Sequence, residues 1–224
     1  MKNKKTVGLF GKLHGLTRKL SLDLPELGFV PFEIDAGDLA HPPGTVAVIC
    51  AIAGSHPAKN QRAPKELQSL SHLIESLRDD QIHLIFVSMA ANNHPQKPLL
   101  SLGHLDLSAE TLIRESGIPY TIVRTMSAED RPGHHHKIFW KQDFEGDQKG
   151  HQHPVPWEDL AQVLVHCVNR SQALSKTFTV HAVAGEPPVE SLKKAANQFG
   201  DSWDHWFQGL SADVPGKSST KKSA

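Results

Sequence analysis

Along the chain, short runs of apolar residues alternate with segments whose apolar positions recur at helical spacing. "KTVGLF" reads as a first strand, followed by a glycine-containing turn and a helical stretch near residues 15–23. "GFVPFEI" is a second extended run, and Pro31, which has no N–H to give to a ladder, marks it as an edge or irregular strand. "TVAVICAIA" is apolar throughout and rich in β-branched residues, the pattern of a strand covered on both faces. In "APKELQSLSHLIESLRDD", Leu67, Leu70, Leu73, Ile74 and Leu77 fall on one helical face. "IHLIFVSMA" reads as another buried strand, "HLDLSAETLIRESG" as a helix with Gly117 as its C-cap, and "YTIVRT" as a strand. "PWEDLAQVLVHCVNR" is a helix opened by Pro156 and by acidic residues that suit the positive end of the helix dipole. "TFTVHAV" closes the strand series and "PVESLKKAANQF" reads as a last helix.

Strands alternating with helices imply a parallel sheet with helices on both faces, a doubly wound α/β domain. A chain of 224 residues accommodates one such domain, expected over residues 1–210. The tail "SADVPGKSSTKKSA", residues 211–224, is small, polar and basic, and is expected to be disordered. Lys plus Arg and Asp plus Glu balance at 24 each, so no net field directs the chain to nucleic acid or to an anionic membrane. The early apolar run "TVGLF" is too short for a signal peptide core, and no window approaches the roughly 18 apolar residues of a membrane helix. Cys50 and Cys167 both lie in apolar runs, which points to two buried thiols and a reducing cytoplasm. The expectation is a soluble cytoplasmic protein, monomeric or homodimeric.

Three stretches, "AGDL" followed by "VAVICAIAG", "AETLIRESGIPYTIVRT" and "VPWEDLAQVLVHCVNRSQALSKTFTV", occur in that order along the chain and together resemble the atypical short-chain dehydrogenase/reductase group. That group comprises NAD(P)-binding, single-domain relatives of biliverdin reductase B and of NAD(P)H-binding regulators. The resemblance spans about residues 33–182 and implies a Rossmann-like fold with NAD or NADP as the cofactor. The group carries Gly-x-x-Gly-x-x-Gly after its first strand; here the turn is "GKLHG", Gly11 to Gly15, with one extra residue between the glycines. Gly11, Lys12, His14 and Gly15 are the dinucleotide-loop candidates, Lys12 and His14 as positive charge for a phosphate. An ordinary strand-to-helix turn fits the same residues. The resemblance adds Ala51 and Gly54, at the end of "VAVICAIAG", and Arg124 of "YTIVRT" as further cofactor contacts. Two alignments remain open for the N-terminal half. Either "AGDL" follows a third strand, and a β-α unit of roughly 20–25 residues is missing, or "FVPFEID" is the second strand and Asp35 is the acid that reads the adenosine ribose. On both, the N-terminal half is abbreviated.

Standard members use a Tyr-x-x-x-Lys pair on the helix before "YTIVR", in which the lysine lowers the tyrosine pKa so that the phenol exchanges a proton with a carbonyl. Counting back from "ESG", those positions are Leu102 and Asp106, neither of which does that work. Tyr120, the sole tyrosine, opens a strand and is expected to pack there. Biliverdin reductase B also lacks the pair; its supporting serine and histidine fall here at Met89 and Ser127. Ser88, one position early, and His104, on the catalytic helix, are the catalytic candidates. A serine bonded to backbone and an exposed helix histidine are the plainer readings of the two. Fifteen histidines include a cluster in "GHHHKIFWKQDFEGDQKGHQH". If "KIFW" and the stretch before His151 form a hairpin, His134, His136, His151 and His153 come together and can hold a divalent metal or serve a pH-responsive lid. No fixed metal signature accompanies them. Function therefore divides into an NAD(P)H-dependent reductase without the tyrosine–lysine pair, a non-catalytic dinucleotide-sensing or protein-interaction module, and a metal-handling protein.

Overall fold

The central feature is a sheet of strand order β2-β1-β3-β4-β5-β10-β7, seen in a computed structural model that describes residues 4–11, 14–52, 63–88, 102–125, 128–133, 137–142, 152–183 and 203–213. Its strands are β1 (Thr6–Gly11), β2 (Val30–Ile34), β3 (Thr45–Ala51), β4 (His83–Ser88), β5 (Tyr120–Thr125), β7 (Lys137–Lys141) and β10 (Lys176–Val183). The pairings from β2 through β10 are parallel and β7 joins antiparallel. A short β8 (Gln152–His153) also pairs with β10, while β6 (Ala128–Glu129) and β9 (Val155–Pro156) form a separate two-residue ladder. Helices α1 (His14–Glu26) and α4 (Trp157–Cys167) cover one face; α2 (Ala63–Arg78) and α3 (Leu102–Glu115) cover the other.

The strands are buried on both faces because their alternate residues feed two cores. Val7, Leu9, Ile49, Val87, Val123 and Phe178 pack against α1 and α4, whereas Phe10, Val48, Cys50, Leu84, Phe86 and Ile122 pack against α2 and α3. The helical stripe expected from "APKELQSLSHLIESLR" is the buried face of α2, with Leu70, Leu73 and Leu77 fully inaccessible. Gly15 lets α1 approach α4: a Cβ there would stand 1.9 Å from the ring of Trp157.

The N-terminal half settles one alignment. "VPFEI" pairs parallel with β1 over five residues, ending at Phe10 opposite Ile34, so it is the second strand. No strand lies beyond it among the described residues; β2 is the sheet edge. Residues 35–44 return to the start of β3 without a helix, held by a Asp35–Asp38 bridge and by His41, whose Nε2 lies 3.3 Å from the Ser76 carbonyl on α2. Val30 N donates to Lys5 O at 3.0 Å, toward β1, so by the two-residue period Pro31 and Glu33 face outward. A residue without an N–H and a charged residue thus guard the open edge.

The hairpin drawn between "KIFW" and the stretch before His151 falls on residues 143–151, which lie outside the described residues. On either side of them, β7 and β8 both pair with Ala182 and Val183 and so lie on opposite sides of β10. His134, His136 and His151 lie outside the described residues, as does the helix expected at "PVESLKKAANQF", and among the described residues no group of three potential metal ligands occurs. A helix that the sequence reading did not include is "WDHWFQ", α5 (Trp203–Gln208), which seats Trp203 against His166 (ring centroids 4.2 Å, stacked) and Phe207 against Phe178. The described chain continues past residue 210, the expected end of the domain, to Asp213. Ser211 N donates to Gln142 Oε1 at 2.7 Å and Asp213 N to Ser175 O at 2.7 Å. The Lys176 ammonium donates to the carbonyls of Phe207 (2.6 Å) and Leu210, closing the end of α5 with a cation as its dipole favours. Cys50 and Cys167 are both buried free thiols, and no described helix is long and apolar enough to cross a membrane.

Candidate functional site

In an open α/β sheet, ligands bind outside the carboxyl ends of the strands where the strand order reverses, because the connections there leave in opposite directions and open a crevice. Here the reversal falls between β1 and β3. Gly11 and Ala51 form the last pair of that ladder and stand at its mouth. Gly11 has φ 105°, and a Cβ on it would lie 2.0 Å from the Ala51 carbonyl oxygen, so only glycine allows the turn and the close approach together. Three residues later His14 opens α1, whose N-terminal N–H groups face this end of the sheet. Asp35 follows β2 directly; its exposed carboxylate accepts from Gly37 N at 2.7 Å.

Farther along the same edge, Ser88 ends β4 opposite Arg124 of β5. Gly11, Asp35, Ala51, Ser88 and Arg124, five of the sequence candidates, are thus gathered along one edge. Gly15 lies one residue into α1, against Trp157. Lys12 and Gly54, with Met89 and Ser127, are outside the described residues. His104 shares the start of α3 with positions 102 and 106, the stations of the missing tyrosine and lysine.

What sequence reasoning missed is Glu110. It is fully buried on α3, and its carboxylate is gripped from two sides. Arg124 donates from Nε to Oε1 at 2.8 Å and from Nη2 to Oε2 at 2.6 Å, a two-pronged ion pair. Ser88 Oγ donates to Oε1 at 2.6 Å, and Arg114 Nη2 to Oε2 at 2.9 Å. Burial by itself would raise the carboxyl, but the hydrogen bonds and charge of Arg124, the Ser88 hydroxyl and the charge of Arg114 outweigh it and hold Glu110 below its usual value. The Ser88 proton therefore points to an ionised carboxylate between α3 and the sheet. A signal for Glu110 was present: an arginine inside the apolar run "YTIVRT" requires a buried countercharge.

Arg114 carries the network to the opposite edge. It donates to Thr177 Oγ1 at 3.0 Å, and its Nε lies 3.4 Å from Asp213 Oδ2. Thr177 and Tyr120 donate to the same Asp213 oxygen at 2.6 and 3.0 Å. Tyr120 thus sits at the start of β5, away from the crevice. Burial, the Asp213 charge and its hydrogen bond to Asp213 all raise the phenol pKa, the reverse of what a proton-transfer tyrosine needs.

A family model described as NAD(P)H-binding matches residues 40–171, from before β3 to the end of α4; Gly11 and Asp35 precede the matched span. No curated protein matches the sequence. Among solved structures, a protein assigned as an NAD-dependent epimerase/dehydratase from Bacillus halodurans superposes with TM-score 0.66 at 20% identity, covering 87% of this chain and 99% of that one. A wide-type short-chain dehydrogenase/reductase from Veillonella parvula DSM 2008, in complex with NADP, gives 0.55 at 16% identity over 82% and 96%. A protein from Streptococcus pneumoniae TIGR4 assigned as an NADH-flavin reductase gives 0.56 at 15% identity over 80% and 99%. At these identities the likeness concerns the fold, a parallel Rossmann-like sheet flanked by helices.

Proposed function

The chain belongs to the NAD(P)H-binding family, and from that premise we propose that it is a reductase that holds NAD or NADP along the carboxyl edge of its sheet and serves hydride transfer without a tyrosine–lysine pair. The observation that carries this reading is the switch point, where Gly11 ends β1 at positive φ three residues ahead of the first residue of α1. That arrangement fits a pyrophosphate: the backbone comes close, and the helix end offers N–H groups and positive potential. Asp35, at the end of β2, is suited to accept from the adenosine ribose hydroxyls and favours NADH over NADPH, since a ribose phosphate would meet its charge.

When bound, the reduced nicotinamide supplies a hydride to an acceptor. The chain's residues bind, orient and exclude water. The acceptor's proton comes from solvent, because Leu102 and Asp106 stand where the proton-transfer pair would be and Tyr120 is at the other edge. Acceptors that delocalise the incoming electron pair, such as flavins and quinones, need no protein acid and are the class expected. Cys50 and Cys167, as free buried thiols, suit the cytoplasm. The test is to titrate the protein with NADH and NADPH by nicotinamide fluorescence, then to mix the complex anaerobically with FMN or menadione and follow loss of the reduced nicotinamide. Binding with turnover, tighter for NADH, is expected. No binding at millimolar cofactor overturns the reading, and binding without turnover overturns its catalytic half.

A further inference from the structure

We propose that Glu110 is a positioning residue of this site, fixing the Arg124 guanidinium and the Ser88 hydroxyl at the strand ends that flank the far half of the dinucleotide crevice. The inference rests on the dinucleotide reading above and adds a residue that the family match does not assign.

From Gly11 at the switch point, β3, β4 and β5 follow in order, so Arg124 lies three strand spacings away, about 14 Å laterally. With the pyrophosphate at Gly11 and the adenosine toward Asp35 on β2, the strand ends of β4 and β5 border the nicotinamide half. Two polar side chains stand there, and neither is placed by its own strand alone. An arginine has several rotatable bonds, yet here both prongs of one side of its fork meet a single carboxylate. Ser88 is turned the same way, toward Oε1. The Arg124 side chain keeps 14% exposure, whereas Ser88 and Glu110 are fully enclosed, so of the three Arg124 is the one that still reaches the surface at this edge. Glu110 itself is held, by Arg114 from the same helix face one turn on. A mere space-filling residue would not need this: a buried carboxylate with three donors is costly to assemble, and an apolar residue of similar volume would pack as well.

Glu110→Gln retains the shape of the side chain and removes its charge; Glu110→Asp retains the charge on a shorter arm that cannot meet both prongs and Ser88 together. Asp213→Asn weakens the same polar network at the opposite edge and serves as the structural control. Each full-length variant is titrated with NADH and NADPH, recording the dissociation constant and the binding stoichiometry separately, alongside Tm. A fold defect lowers Tm or stoichiometry and leaves the constant of the folded fraction unchanged. Lost positioning raises the constant at full stoichiometry. Expected are an increase of about 10-fold or more for Glu110→Gln, a smaller increase for Glu110→Asp, and wild-type affinity with a lower Tm for Asp213→Asn. Should Glu110→Gln fail to fold, Glu110→Asp decides. Wild-type constants for the Glu110 variants overturn the inference while leaving the dinucleotide reading intact; failure of the wild-type protein to bind either cofactor overturns both.

Discussion

Replacing Gly11 by alanine tests the geometry of the switch point directly. Two penalties apply. The backbone at φ 105° is one that L side chains avoid, which costs about 1–2 kcal/mol. The new methyl would also stand 2.0 Å from Ala51 O and 2.8 Å from Ala51 C, both backbone atoms of the neighbouring strand, so no rotamer change relieves the overlap. The β1–β3 ladder must spread at its end, an overpacking strain of about 1–3 kcal/mol. Together the loss is about 2–5 kcal/mol, which for a domain of this size lowers Tm by roughly 10 °C. Gly28 supplies the control. It has φ 84° but nothing within 4 Å of a built Cβ, so Gly28→Ala carries only the backbone penalty, about 1 kcal/mol and a few degrees. Thermal unfolding together with urea titration measures both variants, with unchanged m values confirming that the native state is the one affected. If Gly11→Ala loses no more than Gly28→Ala, the close approach of Gly11 to Ala51 is wrong, and with it the shape of the crevice.

Other outcomes follow from the same structure. The Thr121 hydroxyl donates to Ala173 O, so the buried His83 must donate from Nε2 to Thr121, and its Nδ1 has no partner among the described residues. Burial lowers its pKa from 6.5 to about 4, so the unfolded chain takes up the proton first; stability is full above about 6.5 and falls as pH drops toward 4, by at most about 3 kcal/mol. Urea midpoints across that range should decline in the wild type and flatten in His83→Leu; equal slopes would refute the assignment. Tyr120→Phe removes the donor to Asp213, costs about 1 kcal/mol by chemical denaturation and leaves turnover at the wild-type level; a large loss of turnover would return the tyrosine to the chemistry. Asp35→Asn should narrow the preference for NADH over NADPH, measured as the ratio of dissociation constants, and an unchanged ratio would remove Asp35 from the ribose site.

The parallel core was legible because strands buried on both faces must be apolar throughout. "VAVICA", "HLIFV" and "YTIV" became β3, β4 and β5, and the leucine stripe of α2 follows from helical period alone. The carboxyl-edge gathering of Gly11, Asp35, Ala51, Ser88 and Arg124 was legible only through family resemblance, since strand order is a non-local property. Pairing around β10 was not legible for the same reason. β10 takes β7 along one edge and β5, then β8, along the other, and a local pattern cannot say which edge a strand takes. Glu110 was hidden because a glutamate among "AETLIRE" looks like a solvated helix residue. Its burial depends on Arg124, fourteen positions downstream. Asp213 was hidden for a similar reason: its neighbours are small and polar, and only the three donors that converge on it show why the segment is ordered.

The anchoring of residues 207–213 has a bearing on how the protein is made. Translation delivers all the parallel strands before it delivers Asp213, and domains begin to organise while still emerging from the ribosome. Until then Lys176 lacks the carbonyls that receive its ammonium, and Tyr120, Thr177 and Arg114 lack the carboxylate on which they converge. The stretch from 207 to 213 is therefore a latch on a sheet whose strands have already been made. A protease cutting just before Phe207 would reopen it.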